Sequence, residues 1–239
     1  MSSLIGTRCV HRVHRFCVSQ LLYPLVLASL FAGAIFAGRV YLSHSSTYRF
    51  LVWNLVLAWI PYGCSLLIAL VHARWPRRWW LLLLPGALWL LFLPNAPYIV
   101  TDLWHLDWLG ERKPIPLWYD LGMLATFAWT GLFLAIASLN TMQSIVRDYC
   151  GRVVSWLFVL GAMGACGWGI YLGRFLNWNS WDVFLRPHRV LADIAARFAH
   201  PIQNSGAFGF TLLFAAFMLV CYLTFASVEH RQRHQLERE

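Results

Sequence analysis

The sequence predicts an all-α integral membrane bundle of about six transmembrane helices, with a short amphipathic interfacial helix in the last loop. Three observations carry that prediction. Of 239 residues, 59% are hydrophobic and only 12% are charged, with a mean hydropathy of +0.57, which leaves too few charges to coat a soluble globule. Apolar runs near 21–42, 49–71, 79–100, 117–139, 153–176 and 206–228 each reach the roughly 20 residues that a helix needs to cross a bilayer core. The basic residues behind the net charge of +9 sit in short runs beside those apolar stretches, where they meet lipid headgroups and set orientation. That placement excludes nucleic acid as a partner and makes the lipid bilayer the first partner of the chain.

The first apolar run follows Arg8, Arg12 and Arg15. Its small residues Ala32-Gly33-Ala34 lie well inside it, with more apolar sequence beyond, so it reads as an uncleaved anchor rather than a signal peptide. The chain then divides into a basic N-terminal tail (1–20), a transmembrane domain (21–228) and a charged C-terminal tail (229–239). Six crossings place both termini on one side. On that side fall Arg8, Arg12, Arg15, Arg74, Arg77, Arg78, Arg147, Arg152, Arg231, Arg233 and Arg238, the larger part of the 19 basic residues, so the positive-inside rule predicts cytoplasmic termini. Tryptophans agree: Trp75, Trp79 and Trp80 mark one interface, and Trp104, Trp108, Trp118, Trp178 and Trp181 the other. The six cysteines show no CxxC spacing, and no disulfide framework is implied.

Each later span carries a local signal. Span three ends in Leu93-Pro94-Asn95-Ala96-Pro97-Tyr98, and its two prolines remove amide donors, which predicts a break in the helix at or below the interface. Asn95 is suited to satisfy the groups they release, and irregular backbone at that depth calls for a polar cavity or a protein wall. Span five carries Gly161, Ala165, Gly169 and Gly173 at intervals of four, a groove for close helix approach. Between 140 and 152 the sequence turns polar and reads as a loop. In the last connection, 177–205, Val190, Leu191, Ile194 and Phe198 share one helical face, Arg189, Asp193 and Arg197 repeat on another, and Pro187 suits the first turn. The pattern predicts a helix lying on the membrane surface.

The six-span arrangement brings Asn95, Asp102, His105, Asp120, Arg174, Asn177, Asn179 and Asp182 to one membrane face from three connections. Ionisable groups are costly at that depth, and the gathering is a candidate ligand site. Asp102 and His105, three apart, share a face if their segment is helical and are the candidate metal ligands or proton carriers. Asp120 in the first turn of its helix is equally a partner for the helix dipole, and Arg174 one turn from a helix end equally a headgroup anchor. No cofactor is assigned by these residues, and no HExxH pair, GxSxG elbow or glycine-rich phosphate loop is present.

Phe92-Leu93-Pro94-Asn95-Ala96-Pro97-Tyr98, running on to Thr101-Asp102 and His105-Leu106, resembles the bacterial multi-pass membrane family catalogued as domain of unknown function 1361. Trp118-Tyr119-Asp120, Gly173-Arg174-Phe175 and Trp178-Asn179-Ser180-Trp181-Asp182 follow in the same order as in that family. The resemblance implies a bacterial inner-membrane protein and supplies no activity. Three functions are then compatible with the residues. An outward-facing site would bind a small polar molecule, ion or lipid headgroup, with Arg174 meeting an anionic group. A membrane-embedded metal-dependent hydrolase or transferase would use Asp102, His105 and one of Asp107, Asp120 or Asp182. A structural or partner-binding protein would use the polar set as a lock on the bundle.

Overall fold

The computed structural model describes residues 11, 13–107 and 115–236, with side chains described for all of these but Asp107 and 229–236. Trp108, Arg8, Arg12 and the arginines of the C-terminal tail, which entered the orientation argument, lie outside the described residues or side chains. Every regular element described is helical. After a helical stretch at 13–19, the chain forms α1 (Leu22–Ser43), α2 (Arg49–Arg74), a 3-10 turn (Trp79–Leu82), α3 (Leu83–Phe92), α4 (Asn95–Tyr98) and a 3-10 stretch (Ile99–Asp107). It continues through α5 (Leu117–Leu176), α6 (Asp182–Leu185), α7 (Pro187–Ala199) and α8 (Ser205–Leu236). Segments Leu22–Ser43, Arg49–Arg74, Trp79–Leu106, Leu117–Leu176 and Ser205–Val228 are long and apolar enough to cross a membrane.

The longest of these is two spans. Gly151 interrupts α5 with φ 82° and ψ 177°, a backbone conformation open to glycine and strained for any residue with a Cβ. Gly131 lies against the Ala96 carbonyl and Gly169 against the Pro94 ring, yet in an unbroken helix these two glycines would stand about 57 Å apart. Trp89 likewise touches both arms, donating to Ser138 Oγ at 3.3 Å and stacking on Phe158 at 5.6 Å. The chain therefore doubles back at Gly151, and with the longest segment divided there the described residues hold six lengths able to cross. The loop expected over 140–152 is replaced by helix up to the glycine. Two of the polar residues there face protein: Thr141 donates to Gln20 at 2.6 Å, and Tyr222 donates to Gln143.

These contacts also order the ends. Gln20 and Tyr222 both lie at the bend end of the hairpin, so the entry to α1 and the C-terminal part of α8 share one membrane face. The bundle core is mainly apolar, with Phe127, Leu134, Met163, Ile170 and Trp89 buried. The outer faces are apolar too: Leu27, Leu30, Leu84, Leu212 and Leu213 are exposed, the all-round hydrophobicity of helices whose solvent is lipid.

The proline break in span three is milder than the sequence suggests. Leu93 and Pro94 keep right-handed helical dihedrals, and regular α-helix gives way first to a single turn and then to 3-10 helix. Asn95 Nδ2 donates to the Phe92 carbonyl at 3.0 Å, satisfying an acceptor at the break. Of the small-residue stripe, Gly169 and Gly173 pack against Pro94 and Tyr98, whereas Gly161 meets open space. A second close approach, unmarked by the stripe, sets Gly167 against the Thr211 backbone. The interfacial helix is α7, with a proline in its first turn and Val190 buried, Leu191 and Phe198 exposed, and Asp193 and Arg197 paired at 3.6 Å.

Candidate functional site

At the end of the hairpin away from Gly151, a cavity of about 960 Å³ opens among α2, the span-three break, the second arm of α5 and the segment after it. Its walls reach from Phe50 to Leu57 on α2 and from Arg174 back to Ala165 on α5, a depth of about 10–14 Å at the helical rise. The deep wall is mainly apolar, with Leu57, Ala87, Leu90, Ala165 and the Trp168 ring, and the charged residues sit toward the helix ends.

Asp102 is the centre of the polar set. The 3-10 stretch that follows the prolines turns its carboxylate inward, and the residue is 1% exposed. Asn54 Nδ2 donates to Oδ2 at 2.7 Å, and Arg174 Nη1 to Oδ1 at 3.4 Å. His105 Nδ1 lies 3.7 Å from Oδ1 and 3.1 Å from the Asp102 carbonyl oxygen. That last bond places a proton on Nδ1. Phe50 packs on the imidazole at 4.8 Å, and Tyr48 donates to the His105 carbonyl at 3.1 Å. In the turn before α2, burial foremost and the nearby Asp120 next raise the Tyr48 phenol above its ordinary range, with Arg39 opposing.

Arg174 comes from the last turn of α5. Its single described hydrogen bond is the one to Asp102, and its guanidinium lies 6.0 Å from the Tyr98 ring. Most of the five guanidinium N–H donors are thus unspent on the described residues. Asn177 ends the helix in the left-handed region, φ 56°, and Trp178 N–H closes back on the Leu172 carbonyl at 3.2 Å, a Schellman closure that asparagine tolerates better than most residues. Asn95 also donates to Ser180 Oγ at 2.9 Å, and Ser180 donates to the Leu91 carbonyl at 3.1 Å, which ties the break to the loop after α5. Trp178 Nε1 donates to Asp193 at 2.7 Å and fastens α7 across the same end.

Of the eight residues expected at this face, Asn95, Asp102, His105, Arg174, Asn177 and Asn179 line the cavity. Asp182 and Asp120 do not. Asp182 accepts from the Asn179 backbone N–H at 2.9 Å and from its side-chain amide at 3.3 Å, which closes the turn before its own helix. Asp120 is held by Arg39 of α1 in a two-pronged pair, Nε to Oδ1 at 2.7 Å and Nη2 to Oδ2 at 3.3 Å, with both side chains 1% exposed.

Two residues important to this end escaped the sequence reading. Asn54 is the one asparagine of the second apolar run, and a lone amide at membrane depth was a usable signal. Arg39 had a signal of the same kind, a charge inside the first run. Trp168 also lines the cavity, and its indole N–H has no partner among the described residues.

No three His, Cys, Asp or Glu side chains gather as a metal cluster among the described residues. Asp102 and His105 supply two donors, and the Asp107 side chain lies outside the description. The arrangement can offer an anion a guanidinium and several amide groups, beside a buried carboxylate with an imidazole 3.7 Å away.

The family described as protein of unknown function (DUF1361) matches residues 53–221. The chain belongs to that family. The DUF1361 stretch contains every cavity-lining residue except Phe50, so the site is built almost wholly from the family's own region, while Arg39, the partner of Asp120, precedes it. No curated protein and no solved structure matches the DUF1361 chain.

Proposed function

We propose that the cavity binds a small amphiphile at the membrane face opposite the termini, with an anionic headgroup against Arg174 and an apolar portion along the leucine wall. The supporting observation is the state of Arg174: it lines a cavity whose deep wall is mainly apolar and has one described hydrogen bond, at 3.4 Å. Asn54 shares the task of holding Asp102, which leaves guanidinium donors for a ligand, and the cavity's depth matches a headgroup with the first part of a chain. Asn95, Asn177 and Asn179 supply uncharged hydrogen-bonding groups around it. By the positive-inside argument this face is the outer one.

The test is thermal stabilisation of the purified protein by short-chain phosphatidic acid, the matching fatty acid and the matching uncharged diglyceride. The two anionic probes raise Tm and the diglyceride does not. Arg174→Ala weakens anionic binding by about ten- to a hundredfold, as loss of a charge-assisted hydrogen bond requires, and Arg174→Lys retains part of it. Ala165→Phe, which fills the cavity without touching a charge, also abolishes the shift. Equal stabilisation by the diglyceride, or an unchanged shift in Arg174→Ala, overturns the reading.

A further inference from the structure

A second cavity, about 740 Å³, lies at the other end of the hairpin, beside Gly151. Its wall holds Arg147 and Arg152, one on each arm, both exposed, and neither guanidinium has a hydrogen-bond or ion-pair partner among the described residues. Among the described side chains no Asp or Glu lines it. The neighbouring carboxylate, Asp148, is engaged with His72 at 3.2 Å and is not part of the wall.

The inner wall adds donors of a second kind. Gln20 accepts from Thr141 through its amide oxygen, and Gln143 accepts from Tyr222 through its own. In that arrangement the NH₂ groups of both amides carry no hydrogen bond to any described residue. Two guanidinium groups and two amides thus meet with no competing acid among the described side chains. Leu21, Trp156 and Phe225 provide an apolar flank to the same space.

We infer that this second cavity is a binding site for the phosphate of an anionic phospholipid, with the phosphate between Arg147 and Arg152 and the upper acyl chain against Leu21, Trp156 and Phe225. Basic pockets between transmembrane helices near the headgroup level suit such headgroups. The apolar flank favours the lipid over a free phosphate compound, which shares the headgroup chemistry and makes no use of that surface. The site stands on the face of the termini and is independent of the cavity at Arg174.

The experiment is native mass spectrometry of the protein released from micelles holding equal phosphatidylglycerol and phosphatidylcholine, with variants side by side. The wild type retains phosphatidylglycerol in preference, and Arg147→Gln/Arg152→Gln lowers that preference by roughly thirtyfold, about tenfold or less being lost per basic residue at a membrane surface. Arg147→Lys/Arg152→Lys keeps most of it, and Arg77→Gln/Arg78→Gln, which removes two exposed charges outside the cavity wall, leaves it unchanged. Displacement by millimolar glycerol phosphate assigns recognition to the phosphate alone; resistance to it assigns recognition to phosphate and chain together. An unchanged preference in Arg147→Gln/Arg152→Gln overturns the site. So does loss of the preference in Arg174→Ala alone, which would move the lipid to the first cavity.

Discussion

Removing either partner of the Arg39–Asp120 pair should be among the most destabilising single changes in the protein. The two groups are bound through both carboxylate oxygens at 2.7 and 3.3 Å and are both 1% exposed, so water cannot replace a lost partner. With charge centres about 4 Å apart, an effective dielectric of 20 gives an attraction of about 4 kcal/mol, in line with the roughly 3–5 kcal/mol seen when a buried pair loses one member. In Asp120→Ala the guanidinium retains Ser43 Oγ at 3.5 Å and the face of Tyr48 at 4.4 Å, and a cation–π contact recovers at most about 2 kcal/mol. The net expectation for Asp120→Ala is a loss of about 2–4 kcal/mol. Replacing both members, Arg39→Met with Asp120→Leu, removes the charges together and should cost far less than the two single changes summed, a coupling of about 2–3 kcal/mol. The assay is unfolding in mixed micelles of increasing sodium dodecyl sulfate, followed by tryptophan fluorescence, for wild type, each single variant and the double. Strict additivity would show that the pair contributes no interaction energy and would refute the reasoning.

Two further predictions concern glycines. Gly151→Ala places a Cβ at φ 82° and should cost about 1–3 kcal/mol through backbone strain alone, although nothing lies within 4 Å of the added atom; the same unfolding assay reads it, and a neutral result would mean that the bend relaxes into another turn. Gly131→Ala and Gly161→Ala form a matched pair, both helical. The first drives a methyl into the Ala96 carbonyl and to within 2.9 Å of Ile99, and the second meets open space. Gly131→Ala should therefore lower the unfolding midpoint, while Gly161→Ala should leave it unchanged or raise it by up to about 1 kcal/mol through helix propensity; equal effects would remove the case for tight packing at the span-three break.

The parts of this fold that lipid dictates are legible in the sequence, because every span must be a continuous apolar run. Local polar pairings are legible as well: Asp102 and His105 meet because they are three residues apart, and Asn95 satisfies a carbonyl released beside it. What fails is the inference from polarity to loop. Thr141 and Gln143 are polar because they meet Gln20 and Tyr222 inside the bundle, whereas a single glycine conformation makes the turn. Distant pairings are equally silent, since nothing near Arg39 points to a carboxylate 81 residues away, or near Asn54 to one 48 residues away. Asp120 and Asp182 sit on the expected face, but face alone does not say which carboxylates a neighbour has already claimed.

The turn at Gly151 also fixes how the first cavity can open. Two stiff arms joined through one residue behave as a fork: they cannot slide past one another by a helical turn of about 5.4 Å without breaking the backbone bonds that run up to the joint. They can splay. The second arm ends at Leu176, and 25 residues of helix put its tip about 37 Å from the pivot, where each degree of splay amounts to about 0.65 Å. Ten degrees would part the tips by roughly 6 Å, wide enough for a hydrocarbon chain, while displacing the walls near the pivot very little. The leverage is greatest at Arg174 and least at Arg147 and Arg152.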